Sequence, residues 1–233
     1  MNMDDFFARS AALLGQKTME ALRTKRVIIF GVGGVGSYAA EALIRTGLTH
    51  LTIVDGDTVQ PSNLNRQLPA TRATIGMPKV DALQARLLEI NPEAEIEAIA
   101  EFYHEPSAFS PQLSDFDYVI DAIDDVAAKT DLIINATRAR VRIFSSMGAA
   151  LRFDPTKVTS GELMTIQGDA LAKAVRARMK KLGIHPYKKV RCVYSTEQAQ
   201  RCATRGSLMQ VTAVFGLTLA SMVVKDIQKV AQE

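Results

Sequence analysis

The sequence predicts an α/β fold built on a doubly wound, mostly parallel sheet, and three observations predict it. Two short apolar runs, Val27-Ile28-Ile29-Phe30 and His50–Val54, flank a helical stretch that opens on glycine, which is the strand–helix–strand unit of such sheets. Those runs and a third at 117–121 end at glycine or aspartate, where a strand passes into a crevice loop. Beyond Gly148 the regular alternation stops, so the sheet is expected to be extended by antiparallel strands. The class is therefore Rossmann-like.

The elements follow in order. Residues 4–22 carry Phe7, Ala11, Leu14 and Leu22 at helical spacing and predict one helix. The strand at 27–30 runs into glycine. A helix over 34–46 stops at Gly47, a C-terminal cap. His50–Val54 is the second strand and closes on Asp55. Residues 56–73 are rich in Asp, Asn, Thr, Pro and Gln and read as a long loop with one helical turn, a length usually kept for function. A helix at 79–90, halted by Asn91-Pro92, precedes an alternating strand at 94–100. A strand at 117–121, a helix at 126–140 and a strand at 141–146 complete the parallel part. Residues 150–153 and 158–163 predict an antiparallel pair around Asp154-Pro155. A basic helix at 170–182, a strand at 190–195 and a final helix at 207–232 end the chain. The whole reads as one domain, 1–233, with a nucleotide-binding half at 1–148. The remainder, 149–233, holds the antiparallel strands, the basic helix and the apolar helix.

Composition narrows the functional classes. Twenty-eight Lys and Arg stand against 25 Asp and Glu, a formal charge of +3 that is too mild to indicate a polyanion partner by itself. Two cysteines, Cys192 and Cys202, cannot form a disulfide framework or a four-cysteine zinc site, which points to a reducing compartment, the cytoplasm. The start has no basic segment followed by an apolar one, so no secretory signal is read. From Gly206 to Val224 no residue is charged, near the lower length for a membrane span. Gln210, Thr212, Thr218 and Ser221 interrupt it, and a buried core or interface helix is the preferred reading over membrane association. His50, His104 and His185 show no ligand spacing.

Gly31-Val32-Gly33-Gly34-Val35-Gly36 fits G-x-G-x-x-G between a strand and a helix. Glycines there permit a tight turn and let a phosphate approach the amides of a helix N-terminus. Asp55 follows Gly36 by about 20 residues at the end of the next strand, where a carboxylate reaches ribose hydroxyls. NAD and ATP fit these features equally. Asp57 is either a second ligand or a turn-stabilising side chain. The loop 62–67, with Asn63 and Arg66, and then Lys79 favour the triphosphate. A hydride carrier has no need of two further cations at its phosphate end, whereas a departing pyrophosphate does. Asp124, in Asp121-Ala122-Ile123-Asp124-Asp125 beyond the 117–121 strand, is a candidate Mg²⁺ ligand, since that ion takes one or two carboxylates with phosphate oxygens and water. Asp124 and Asp125 are equally able to cap the following helix.

The motif set, GVGGVG, Asp55–Asp57, S-N-L-N-R-Q at 62–67, G-M-P-K at 76–79 and D-A-I-D-D, resembles the ThiF/MoeB/HesA group of the ubiquitin-activating-enzyme superfamily. Such enzymes adenylate a carboxylate with ATP. The resemblance implies that Gly31, Gly33, Gly34, Gly36, Asp55, Asp57, Asn63, Arg66, Lys79 and Asp124 bind ATP and Mg²⁺, with Arg66, Lys79 and Asp124 catalytic. It also implies that Arg9 reaches the ATP of a partner subunit in a homodimer. Members that activate sulfur carriers bind zinc through two Cys-x-x-Cys pairs, which two cysteines cannot supply. Stretches 41–47, 65–72, 119–124 and 192–197 are instead similar to the tRNA threonylcarbamoyladenosine dehydratases of the family, the TcdA/CsdL type. That branch implies a tRNA substrate, a sulfur-relay partner from a cysteine desulfurase system, and a role for Cys202, although the loop before Cys202 is shorter here than in many relatives. The alternative is adenylation of a carrier protein's C-terminus. A nucleotide-binding adaptor or NAD sensor is a third reading.

Charge distribution adds an independent observation. Between Asp169 and Glu197 there is no acid, while Lys173, Arg176, Arg178, Lys180, Lys181, Lys188, Lys189 and Arg191 all fall there. Segment 173–191 is the expected tRNA contact; a solvated face or an anionic lipid contact are the other readings.

Overall fold

The structure is a computed structural model and describes residues 6–103, 109–184 and 190–232. Seven strands form one sheet: β1 (Arg26–Phe30), β2 (His50–Val54), β3 (Glu95–Ile99), β4 (Tyr118–Asp121), β5 (Arg142–Ser146), β6 (Val158–Glu162) and β7 (Arg191–Ser195). Their spatial order is β3-β2-β1-β4-β5-β7-β6, all neighbours parallel except β6 with β7. The chain winds outward from β1 through β2 to β3, then restarts at β4 on the other side of β1. The switch point lies between β1 and β4, where the connecting loops diverge and leave a crevice at the carboxyl ends.

The helices are α1 (Ala8–Leu14), α2 (Gln16–Thr24), α3 (Gly36–Thr46), α4 (Lys79–Ile90), α5 (Val126–Arg138), α6 (Ala170–Lys181) and α7 (Met209–Gln232). Strand periodicity divides the core between two faces. Val27 and Ile29 of β1 pack with Met19, Leu43, Leu83, Phe215 and Val223, from α2, α3, α4 and α7. Ile28 and Phe30 pack with Ile133 of α5 and Val175 of α6. Both faces of β1 and β4 are covered, which is why those strands read as unbroken apolar runs.

The apolar final helix is a core element. Val211, Phe215, Leu219, Val223 and Ile227 of α7 are buried. Gly216 sits where an added Cβ would come within 2.2 Å of the Val35 carbonyl oxygen, so only glycine lets α7 approach the start of α3 this closely. The length and hydropathy of α7 would suit a membrane span, and the buried stripe explains that composition in another way.

Four expectations are corrected. The single helix over 4–22 is two helices, broken at Gly15 with φ 79°, and residues 1–5 lie outside the described part. Residues 150–153 form no strand, and β6 pairs with β7 instead. Leu151 has φ 61°, and its amide and carbonyl are engaged by Gly206 and Gln200. The Phe153 and Asp154 amides donate to Glu197, so no ladder is available to this segment. Helix α5 stops at Arg138, just before Arg140 with φ 60°, rather than at 140. Helix α7 begins at Met209 rather than at 207.

Candidate nucleotide site

A cleft of about 440 Å³ opens at the switch point. Its walls include Gly31, Gly33, Gly34, Asp55, Asp57, Asn63, Arg66, Lys79 and Asp124, so the structure brings together nine of the residues selected from sequence. A larger, more open hollow of about 740 Å³ lies over the amino ends of β1–β3, lined by Arg26, His50 and Glu95 among others. It has no glycine loop, and parallel sheets receive ligands at the opposite, carboxyl end.

Backbone geometry sets the floor of the cleft. Gly31 has φ +84°, and a Cβ there would fall 2.7 Å from the Ala122 carbonyl oxygen beyond β4. At Gly36 a Cβ would sit 1.8 Å from the Gly31 carbonyl oxygen. These two glycines let the loop fold back on β1 and bring α3 against it. Gly36 lies below the cleft and does not line it. Gly33 and Gly34 face the opening.

Asp55, at the end of β2, is almost enclosed. Its carboxylate accepts from the Val32 amide at 2.8 Å and the Asp57 amide at 2.9 Å. Burial pushes its carboxyl above the usual aspartate range, against the pull of Lys79 and of both amides. Lys79, first residue of α4, is itself buried and donates to Asp57 at 2.6 Å, with Asp55 at 4.0 Å. Asp57 thus holds the lysine in place, a task distinct from both the ligand and the turn role considered for it.

The loop after β2 contains a short 3-10 turn, Pro61–Asn63, matching the expected helical turn. Asn63 is buried and reciprocates with Gln60 across that turn. It fixes the entry to Arg66, whose guanidinium donates to the Ser62 carbonyl at 3.0 Å and to Asn65 Oδ1 at 2.8 Å. Those bonds leave Arg66 on the cleft wall with donors to spare.

Asp125 resolves the ambiguity over the helix cap: its side chain accepts from the Ala128 amide at 2.8 Å and caps α5. Asp124 is left projecting, its side chain 89% exposed, with Arg205 Nη1 4.0 Å away. Among the described residues no cluster of three metal-ligating side chains occurs. One projecting carboxylate beside a phosphate cradle is nonetheless the donor set Mg²⁺ uses when phosphate oxygens and water complete its shell.

Arg9 is exposed on α1 and does not line its own chain's cleft. Cys202 is exposed in the loop before α7 and is likewise outside the cleft wall. Cys192 is buried in β7, its thiol pushed up to about 12 by burial, and is a packing residue. Sequence reasoning missed Arg205, Phe102 and Tyr103, all on the cleft wall. Arg205 stands next to Gly206, in the same stretch as Cys202, and its proximity to Asp124 is a tertiary contact with no sequence signal.

The basic segment is only partly free. Arg178 meets Asp131 of α5 at 3.3 Å, which corrects the view that no acid opposes it; that view considered the segment alone. Arg176 donates to the Leu163 carbonyl and Arg191 to Ser160 Oγ. Lys173, Lys180 and Lys181 are exposed along α6. Lys188, Lys189, His104 and His185 lie outside the described residues. His50 meets Glu95 at 3.1 Å at the far end of the sheet.

A glycine loop, a carboxylate at the second strand end, two anchored cations and a projecting aspartate at one switch point define a nucleotide-binding α/β protein equipped for a polyphosphate. Comparison with known proteins agrees. The ThiF family model matches residues 7–233, and the chain belongs to that family. A tRNA threonylcarbamoyladenosine dehydratase of Bacillus subtilis is 41% identical over 193 residues, 82% of this chain and 74% of that one. The crystal structure of the Escherichia coli tRNA N6-threonylcarbamoyladenosine dehydratase in complex with ATP superimposes with a TM-score of 0.90 at 33% identity, covering 98% of this chain and 96% of that one. The E. coli molybdopterin-synthase adenylyltransferase is 36% identical over 135 residues, only 58% of this chain and 53% of that one.

Proposed function

We propose that this chain is an ATP-dependent tRNA threonylcarbamoyladenosine dehydratase, acting as a cytoplasmic homodimer. The observation that carries the reading is the pair of anchored cations, Arg66 and Lys79, on the wall of a glycine-loop cleft whose whole fold is shared with a dehydratase that binds ATP. A redox dinucleotide would leave that pair without a task.

In this reading the amides of the glycine loop meet phosphate, Asp55 accepts from the ribose hydroxyls, and Phe102 and Tyr103 supply an aromatic wall for the base. Asp124 would hold Mg²⁺, which would neutralise phosphate charge there. The threonyl carboxylate of the modified adenosine attacks the α-phosphorus. A P–O bond forms, the bond to pyrophosphate breaks, and an acyl-adenylate results. Arg66 and Lys79 stabilise the charge on the departing pyrophosphate. The neighbouring carbamoyl group then attacks the activated acyl carbon, AMP leaves, a proton is released and the ring closes. The net change in the tRNA is loss of one water. Cys202 has no step in this sequence. Arg9 acts at the partner subunit's cleft, and the lysines of α6 hold the tRNA backbone.

The test is AMP release with tRNA carrying the modification, with tRNA lacking it, and with no tRNA. Release only in the first supports the reading; turnover without tRNA refutes it. The partial likeness to molybdopterin-synthase adenylyltransferase supports one alternative, activation of a carrier protein's C-terminus. It predicts pyrophosphate exchange that requires a protein ending in diglycine.

A further inference from the structure

Two cations of the cleft are tied down and a third is not. Arg66 is held by Ser62 and Asn65, and Lys79 is buried against Asp57. Arg205 also lines the cleft, but its side chain is 68% exposed and its ion pair is a loose one, 4.0 Å from Asp124. Two exposed groups at that separation contribute little to stability, so packing does not explain the placement.

The segment that carries Arg205 is nevertheless held firmly. Leu151 donates its amide to the Gly206 carbonyl at 2.9 Å and accepts from the Gln200 amide at 2.8 Å, so one residue closes the neck of the loop 200–206. Leu151 adopts φ 61° to do so, an unfavourable conformation for a side-chain-bearing residue. On the other side, Asn65, next to Arg66, donates to the Ser207 carbonyl at 3.0 Å. The loop is thereby anchored both to the loop that carries Arg66 and to the segment that follows the Gly148–Ala150 wall, and it delivers an exposed guanidinium to the cleft.

The same wall connects to the basic helix. Leu171, the second residue of α6, lines the cleft together with residues 148–150. A polyanion lying along Lys173, Lys180 and Lys181 therefore reaches the cleft past Leu171. A carboxylate entering that way must approach an anionic α-phosphate in a cleft whose wall also carries the Asp124 carboxylate. An anion brought up to a carboxylate is repelled unless a cation stands beside it.

We propose that Arg205 is the residue that receives the substrate's carboxylate, exchanging its loose contact with Asp124 for a bidentate one to the incoming acid. This assignment rests on the function proposed above. A planar guanidinium suits the task, because it matches a carboxylate with two parallel N–H donors. Arg66 and Lys79 remain on the pyrophosphate, so recognition of the acid and stabilisation of the leaving group fall to different cations.

The test uses the full chain with Arg205→Ala and Arg205→Lys. AMP release is followed at saturating ATP while modified tRNA is titrated. ATP affinity is measured by calorimetry and affinity for unmodified tRNA by fluorescence anisotropy. Loss of a charge-assisted pair is expected to raise KM for modified tRNA about 10- to 100-fold in Arg205→Ala, with a smaller change in kcat and partial rescue in Arg205→Lys. Affinities for ATP and for unmodified tRNA, which lacks the carboxylate, stay within about twofold, less than 0.5 kcal/mol. An unchanged KM overturns the assignment. An equal loss for unmodified tRNA moves Arg205 to the RNA backbone, and an equal loss for ATP moves it to the triphosphate; either also overturns it. Wild-type protein that shows no tRNA-dependent AMP release, by contrast, removes the function itself and the assignment with it.

Discussion

Lys129 Nζ lies 2.6 Å from Asp121 Oδ2, and neither side chain has any exposed surface. Asp121 ends β4 and Lys129 projects from α5, so the pair ties the strand end to the helix that flanks the cleft. Both groups have further partners: Lys129 also donates to the Ser146 carbonyl at 2.9 Å and to Ser145 Oγ at 3.3 Å, and Asp121 accepts from Ser145 Oγ at 2.5 Å and from the Ile123 amide at 3.1 Å. The loop 122–125, with Asp124 at its crest, is thus anchored from inside the protein.

Breaking that pair from one side leaves a buried charge with no counter-ion. Lys129→Met is expected to destabilise the protein by about 3–5 kcal/mol. Adding Asp121→Asn removes the orphaned charge and should restore a large part of the loss. Urea denaturation of the two single variants and the double variant measures the coupling. Additive losses would show that the ion pair is not what holds the loop.

The free cations of α6 make a prediction about salt. Lys173, Lys180 and Lys181 are exposed, whereas Arg178 is paired with Asp131. Replacing the three lysines by Glu should weaken tRNA binding whether or not the RNA is modified. The slope of log affinity against log salt should become shallower by about one for each phosphate contact removed. Arg178→Ala should change the slope less. Filter binding across a salt series reads both, and a slope indifferent to the lysines would place the RNA elsewhere.

Local pattern carried most of the fold, and tertiary contact explains what it missed. Strands β1, β2 and β4 were legible because burial on both faces writes an unbroken apolar run, and the glycine loop was legible because close backbone approach at Gly31 and Gly36 leaves glycine no substitute there. The pairing of β6 was not. Its partner β7 lies beyond a whole helix, and the nearer segment, 150–153, alternates well enough to pass for a strand until Leu151 is seen to bond with Gly206 and Gln200. Gly15 broke the first helix without a proline to announce it. Within the cleft, Asp55, Arg66, Lys79 and Asp124 followed from motif spacing. Arg205 did not, because its place depends on a loop folding back onto the cleft, and the tie of Asp57 to Lys79 depends on the long loop returning to pair Thr58 with Pro78, which sets the start of α4 beside the end of β2.

Arg66 separates the ATP reading from the NAD reading. Among the described residues its guanidinium bonds only to its own loop, at Ser62 and Asn65, so removing it should leave the fold intact. Arg66→Ala is expected to lower kcat/KM for AMP release by about 10³-fold, the scale of a cation that stabilises a departing phosphate. The thermal midpoint should stay within a degree or two. An equally large drop in the midpoint would make Arg66 structural, and tight NAD binding indifferent to the change would favour a sensor.

Asp55 predicts the pH response. Burial raises its carboxyl pKa in the folded protein, so between the ordinary aspartate value and the raised one the folded state binds more protons than the unfolded chain. Stability from this group is therefore fully present at the acid end of that window and declines as pH rises through it. Nucleotide binding runs the other way. The ionised carboxylate is the better acceptor for ribose hydroxyls, so affinity should rise over the same window. Asp55→Asn, which cannot titrate, should abolish both trends and flatten the difference in urea midpoint between variant and wild type above the window. Nucleotide affinity by calorimetry and urea midpoints, each measured from acid to neutral pH, provide the two curves. Parallel rather than opposed curves would mean that the group titrating there is not Asp55.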